Sequence, residues 1–190
     1  MKRGREKFSK FKPLISVVSW FISLFPRKIR LRYFIHLRNR TGLIGIGLRY
    51  ATLKTIAKSV GENVSIQPGV YLFHIENIEI GNNVSIHPMC YIDGDGGIKI
   101  GNDVSIAHST TILSSNHIYD SYMVPIKDQG MEKRFTQICN NIWIGAKVTI
   151  LGGVVINEGV VVAAGAIITK DCDSNSVYAG VPAKKIRELI

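Results

Sequence analysis

A chain of 190 residues with 46% hydrophobic side chains is long enough for one well-filled core and too short for two large domains. Its net charge of +10 suggests nucleic acid until the charges are located: residues 1–40 carry twelve basic side chains against the single acid Glu6, whereas residues 41–190 carry twelve basic and thirteen acidic ones. The body is therefore electrically ordinary and no nucleic-acid partner is expected, while three scattered cysteines, Cys90, Cys139 and Cys172, argue against both a disulfide framework and a CxxC zinc site.

The first predicted unit is a basic, partly apolar helical arm over residues 1–55. Lys2 to Lys12 is basic, and Leu14 to Phe25 is apolar with Ser16, Ser19 and Ser23 spaced along one helical face. Arg27 to Arg40 then mixes arginines with Ile29, Leu31, Phe34, Ile35 and Leu37. A basic start before an apolar run has the look of a secretory signal, but Pro26-Arg27-Lys28 follows in place of a small-residue cleavage site, so none is expected. As a helix the apolar run reaches about 18 Å, short of the ~30 Å hydrocarbon core of a bilayer. Two roles stay open for the arm: peripheral contact of residues 1–40 with an anionic membrane surface, or a cap over the end of whatever fold follows.

From residue 56 onward an aliphatic residue recurs every sixth position, in groups separated by eight. Val60, Ile66, Leu72, Ile80, Ile86, Ile92, Ile100, Ile106 and Ile112 fall in this register, and Ile144, Ile150, Ile156, Val162 and Ile168 resume it after a break. Four residues after most of them comes a small side chain: Val64, Val70, Val84, Cys90, Val104, Thr110, Val148, Val154, Val160 or Ala166. Gly61, Gly81, Gly101 and Gly145 directly follow the aliphatic residue, where a turn needs an unhindered or left-handed backbone. A helix would need apolar spacings of three or four, and an alternating strand a spacing of two. A period of six predicts short strands and turns, three to a coil, stacked as a parallel β-solenoid with the aliphatic side chains inside. The jump of eight lengthens one corner of each coil.

Between Ile112 and Ile144 the period lapses, which predicts a loop over about residues 114–140. Solenoids carry such insertions on one face, often the binding face. The loop opens with Ser114-Ser115-Asn116-His117-Ile118-Tyr119-Asp120. Beyond it stand Asn140-Asn141-Ile142-Trp143-Ile144-Gly145, the run Ala163 to Asp171, and Ala179-Gly180-Val181-Pro182-Ala183-Lys184-Lys185-Ile186-Arg187.

These segments, with the repeat register over residues 56–188, resemble the hexapeptide-repeat acyltransferases, and within them the sugar O-acetyltransferase branch of galactoside and maltose O-acetyltransferases. The resemblance implies a left-handed parallel β-helix over residues 56–190, following the helical arm and closing in a short C-terminal helix over about 178–190. It implies an acetyl-CoA-dependent O-acetyltransferase with His117 as general base, with acetyl-CoA as cosubstrate and no metal. Imidazole can take a hydroxyl proton near neutral pH as that oxygen attacks a thioester, and a backbone N–H near Gly145 or Ala146 could hold the oxyanion. By the same carry-over Trp143 packs beside pantetheine, Gly145, Ala146, Ala164 and Gly165 line its channel, Thr169 and Lys170 lie near the adenosine, and Lys184 and Arg187 near the phosphates. On the acceptor side the counterparts are Asp93, Asp95 and Ser85; the asparagine of the galactoside enzymes has no clear counterpart beside Ser85 and His87. Gln129-Gly130 resembles surface-polysaccharide acetyltransferases, which points to a glycan acceptor. The resemblance further implies a cytoplasmic homotrimer with active sites between subunits, at the inner face of the membrane if the arm binds there. Serine O-acetyltransferase, sugar N-acyltransferase and a γ-class carbonic anhydrase-like zinc protein remain as alternatives.

Overall fold

The structure is a computed structural model that describes residues 4–190; Lys2 and Arg3 of the basic arm lie outside the described residues. Three helices come first: α1 (Gly4–Ser23), α2 (Arg27–His36) and, after a short 3-10 turn, α3 (Gly42–Leu53). The chain then winds through short strands in coils of three. These are β1 (Ser59–Val60), β2 (Ser65–Ile66) and β3 (Tyr71–Phe73); β4 (Ile78–Ile80), β5 (Ser85–Ile86) and β6 (Tyr91–Asp93); and β7 (Ile98–Ile100), β8 (Val104–Ile106) and β9 (Thr111–Ile112). A ribbon of β10 (Ser115–His117) and β11 (Met131–Lys133) interrupts the winding, which resumes with β12 (Thr136–Ile138), β13 (Ile142–Ile144) and β14 (Thr149–Ile150), then β15 (Val155–Ile156), β16 (Val161–Val162) and β17 (Ile167–Ile168). Strands β18 (Ser176–Gly180) and β19 (Ala183–Glu188) close the chain.

Every third strand stacks in parallel, giving a first sheet β1-β4-β7-β12-β15, a second β2-β5-β8-β13-β16-β18-β19 and a third β3-β6-β9-β14-β17. The predicted register is the core: thirteen of the fourteen aliphatic positions are buried, Val60 beside the arm being half-buried, and all ten of the small positions are buried as well. Each buried Ile, Leu or Val contributes roughly 1.5–3 kcal/mol, so stacked coils hold one another where a single coil could not. Cys90 and Cys172 are free thiols of this core, and burial pushes the Cys172 thiol up to about 12.

The turn glycines act differently from one of the two reasons offered for them. Gly61, Gly81 and Gly101 do not adopt the left-handed conformation; Asn63, Asn83 and Asp103, two residues on, do, with φ of 55°, 58° and 57°. What the glycines supply is clearance, since a Cβ on Gly61 or Gly81 would stand 2.6 Å from the carbonyl oxygen of the glycine one coil on. Between them runs a ladder in which Asn82, Asn102 and Asn140 side-chain oxygens accept from the backbone N–H of Glu62, Asn82 and Asn102, at 2.7, 2.8 and 2.8 Å.

The arm caps the open first coil. Phe34, Tyr50, Leu53 and Ile56 join the solenoid core, and the Arg49 guanidinium, 1% exposed, donates to the carbonyls of Ile66 (2.9 Å), Leu37 (2.8 Å) and Arg40 (2.6 Å). Burial lowers the Arg49 pKa, but three carbonyl acceptors offset part of the cost of holding a cation there. The Tyr50 hydroxyl donates to Gly61 O at 2.8 Å, and its pKa is raised to about 12 by burial and then by the charge of Glu62.

The C-terminal segment departs from expectation. Residues 178–190 form no helix: β19 pairs antiparallel with β18 as the edge of the second sheet. The open rim of that sheet offers β18 as a template, and its unpaired backbone groups are better satisfied by another strand than by a free helix.

Candidate functional site

The site is built at one corner of the coil. Passing from the third sheet to the first, the chain crosses at residues 74–77, 94–97 and 151–154, and at the same corner the insertion 113–135 leaves the coil. This is the corner lengthened by the jump of eight. The root of the insertion is pinned on both sides. Ser114, fully buried, donates its hydroxyl to Asp93 O (2.7 Å) and accepts from Gly96 N–H (2.9 Å), while Arg134 N–H donates to Ser114 O (2.8 Å). Thr136, also fully buried, donates to Leu113 O (2.7 Å) and accepts from Gly153 N–H (3.1 Å). Sequence analysis missed Thr136 as an anchor; its signal is a polar residue at a position that faces the core.

From this root β10 and β11 run antiparallel, with His117 opposite Met131. The His117 side chain is exposed and has no hydrogen-bonding partner among the described residues. Farther out, the Gln129 amide organises the loop by donating to Ser121 O (2.7 Å) and Val124 O (2.8 Å) and accepting from Ser121 N–H (3.0 Å).

Asp93 and Asp95 share the corner with this root, and they are already engaged. His74 Nδ1 lies 2.7 Å from Asp93 Oδ1, and Lys133 of β11 lies 2.8 Å from Asp95 Oδ1, tying the ribbon to the preceding coil. The hydrogen bond from Lys133 and then its charge hold Asp95 below the usual carboxylate range. Asp95 and Lys133, with Glu76, Asn77 and Phe135, line an open hollow of about 490 Å³. Beside it, exposed Tyr71, Phe73 and Tyr91 form a small aromatic surface on the third sheet, with ring centroids 6.4 and 5.1 Å apart. Neither this surface nor the pairing of His74 was anticipated; the signal for the former was a tyrosine at the same place in two successive coils.

The His74 pKa is raised above 6.5, chiefly by its hydrogen bond to Asp93. A group raised on folding contributes stability that is complete below its unfolded pKa and is lost as pH climbs through its folded value. Imidazole NMR titration should therefore place His74 above 6.5, and Asp93→Asn should bring it back toward that ordinary value. An unchanged titration in Asp93→Asn would dissolve the pair.

The other anticipated residues lie elsewhere. Ser85 is on the second sheet, its hydroxyl 3.3 Å from that of Ser105, and is not at the corner of Asp93 and Asp95. Trp143 projects from the same sheet, 56% exposed. Gly145, Ala146, Ala164 and Gly165 follow at the corner between the second and third sheets, joined by the bond from Gly165 N–H to Ala146 O at 2.8 Å. The Gly145 N–H donates to Val162 O (2.8 Å), which removes it as an oxyanion donor, whereas Ala146 and Ala164 N–H have no acceptor among the described residues. Thr169 and Lys170 are exposed after β17, and Lys184 and Arg187 are exposed on β19.

Three sheets taken once per turn make a prism of triangular section, in which the second sheet lies opposite the corner between the third and the first. Trp143 and the root of the His117 ribbon therefore lie on opposite sides of one chain.

A family described as bacterial transferase hexapeptide (six repeats) matches residues 135–170. Galactoside O-acetyltransferase of Escherichia coli (strain K12) is 33% identical over 141 residues, covering 74% of this chain and 68% of that protein. Among solved structures, a galactoside acetyltransferase in complex with coenzyme A superposes with a TM-score of 0.77 at 33% identity, over 86% of this chain and 81% of that one. A maltose O-acetyltransferase from Clostridium difficile 630 gives a TM-score of 0.74 at 25% identity, over 86% of each chain.

Proposed function

The chain belongs to the hexapeptide-repeat acetyltransferases, and we propose that it moves the acetyl group of acetyl-CoA to a sugar hydroxyl with His117 as general base. The observation that carries this reading is the shared corner: an exposed imidazole on a ribbon whose root is pinned beside Asp93 and Asp95. In the proposed reaction the acceptor hydroxyl gives its proton to His117 as its oxygen bonds to the thioester carbonyl. The Ala146 N–H steadies the tetrahedral oxyanion. Collapse then breaks the carbon–sulfur bond, and the imidazolium returns the proton to the thiolate, leaving an acetyl ester and free coenzyme A. No covalent enzyme intermediate is needed.

The remaining residues take roles that suit their chemistry. Trp143, Gly145, Ala146, Ala164 and Gly165 flank pantetheine, where small side chains leave a channel and the free Ala164 N–H donates to one of its amide carbonyls. Thr169 and Lys170 lie toward the adenosine, and Lys184 and Arg187 toward the phosphates, which favour clustered cations. Because Trp143 and His117 lie on opposite sides of one prism, a complete site needs two chains, which supports a homotrimer with the base from one subunit and the coenzyme groove from its neighbour. The acceptor reading is a surface-polysaccharide sugar, bound by Asp95 in the hollow and by Asp93 at the same corner. Ser85, away from that corner, would contribute only from a neighbouring subunit. Acetyl-CoA and nucleotide- or lipid-linked sugars meet in the cytoplasm, which is the compartment we assign, with peripheral membrane contact through residues 1–40.

The test is coenzyme A release from acetyl-CoA across free sugars, nucleotide-linked sugars, lipid-linked glycans and serine, with light scattering on the same preparation. The expected product is a base-labile acetyl ester on a sugar, made by a trimer. Transfer to serine, a base-stable amide product, or full activity from a monomer would overturn the corresponding part of the proposal.

A further inference from the structure

The arm buries one side and leaves another bare. α3 supplies Tyr50 and Leu53 to the core, and α1 packs on α3, Phe8 meeting Tyr50 edge-on at 5.6 Å. The outer face of α1 is a different surface. Phe11, Leu14, Val17, Trp20 and Phe21, with Leu24 just past the helix, are 53–64% exposed, and Ile29 of α2 continues the apolar surface at 50%. Between α1 and α2 lies an apolar groove of about 330 Å³, lined by Phe21, Ile22, Phe25, Ile29, Tyr33 and Leu48. Soluble surfaces scatter such residues singly; a continuous run along a helix marks a contact surface.

The charges around it decide what it contacts. Lys12 and Arg27 are held by Glu62 and Glu76, but Lys10, Lys28, Arg32 and Arg40 are exposed and make no ion pair among the described residues. A second copy of the arm would set these cations against their like, and the body of the chain, with a net charge of −1, offers little to neutralise them. The hydroxyls of Ser16 and Ser23 are turned back onto Lys12 O (3.0 Å) and Trp20 O (2.6 Å), which lowers the cost of taking this helix out of water. No helix among the described residues is long and apolar enough to cross a membrane.

We propose that the outer face of α1 and α2 docks on an anionic lipid bilayer, lying in the plane of the interface while α3 closes the solenoid beneath it. Phe21, Leu24 and Trp20 sit at the headgroup boundary, the groove receives part of an acyl chain, and Lys10, Lys28, Arg32 and Arg40 meet lipid phosphates. This deepens the membrane contact named above and does not depend on the acetyl-transfer reading.

The experiment uses the full chain, with vesicles of phosphatidylcholine alone or mixed with phosphatidylglycerol. Co-sedimentation should require the anionic lipid and fall steeply as salt rises. Lys28→Gln/Arg32→Gln/Arg40→Gln should weaken binding about 100-fold, at roughly fivefold for each cation near the surface. Leu14→Glu/Phe21→Glu/Leu24→Glu should abolish it, with the oligomeric state and the rate of coenzyme A release on a soluble acceptor unchanged. Absence of binding by the natural chain, equal binding to phosphatidylcholine, or a glutamate variant that changes oligomeric state would overturn the docking assignment. Acetyl transfer is read separately, so the two proposals fail separately.

Discussion

His117→Ala should lower kcat about 100- to 10,000-fold, the range a positioned general base contributes, while the KM for acetyl-CoA stays within about twofold. The separation follows from placement. His117 stands on the ribbon at the corner between the third and first sheets, whereas the residues assigned to the coenzyme lie on the second sheet, at its corner with the third, or just after β17. Removing an exposed ring with no partner among the described residues leaves none of their buried groups unsatisfied, so thermal unfolding should move little. A loss of activity with an unchanged melting temperature would then be a chemical loss. Near-normal turnover by His117→Ala would remove the imidazole from the reaction and leave the corner without a base.

Most of the solenoid is legible in the sequence because its core has a strict translational rule. A residue such as Ile106 is buried by the coils on either side, so its identity answers to a period that can be counted. The break in that period located the insertion for the same reason. What escaped was set by contacts between turns that are distant in sequence. The pairing of His74 is of this kind: Asp93, nineteen residues on, faces it at 2.7 Å because one coil separates them. In the first three coils the left-handed position two residues after Gly61, Gly81 and Gly101 is asparagine or aspartate, since these side chains tolerate that conformation while the glycines are required for clearance. The short closing helix that the resemblance implies is a strand instead, because the edge of the second sheet overrides the helical propensity of Lys184-Lys185-Ile186-Arg187. For the arm, the sequence left cap and membrane contact as rivals. The structure assigns the cap to α3 and leaves the outer faces of α1 and α2 bare.

Gly96→Ala should reduce kcat about 10- to 100-fold without touching any group assigned to chemistry. A Cβ at Gly96 would stand 2.0 Å from Ser114 O and 2.6 Å from Arg134 N, backbone atoms of the two strands that enter and leave the ribbon. Neither can yield as a flexible side chain would, because Arg134 N–H donates to Ser114 O at 2.8 Å and the Ser114 hydroxyl is held between Gly96 N–H and Asp93 O. The methyl group therefore has to push the root of the ribbon away from the corner, and displacement of a catalytic group by about 1 Å can cost 100-fold in rate. Overpacking of this kind also costs roughly 1–3 kcal/mol, which a solenoid with a continuous aliphatic core can absorb and remain folded. Gly47→Ala is the control: a Cβ there meets nothing within 4 Å, and the helical position should gain a few tenths to about 1 kcal/mol from the substitution. Kinetics and thermal melts of both variants distinguish the outcomes, since a wild-type kcat in Gly96→Ala would mean that the ribbon is not seated against this corner when the enzyme turns over.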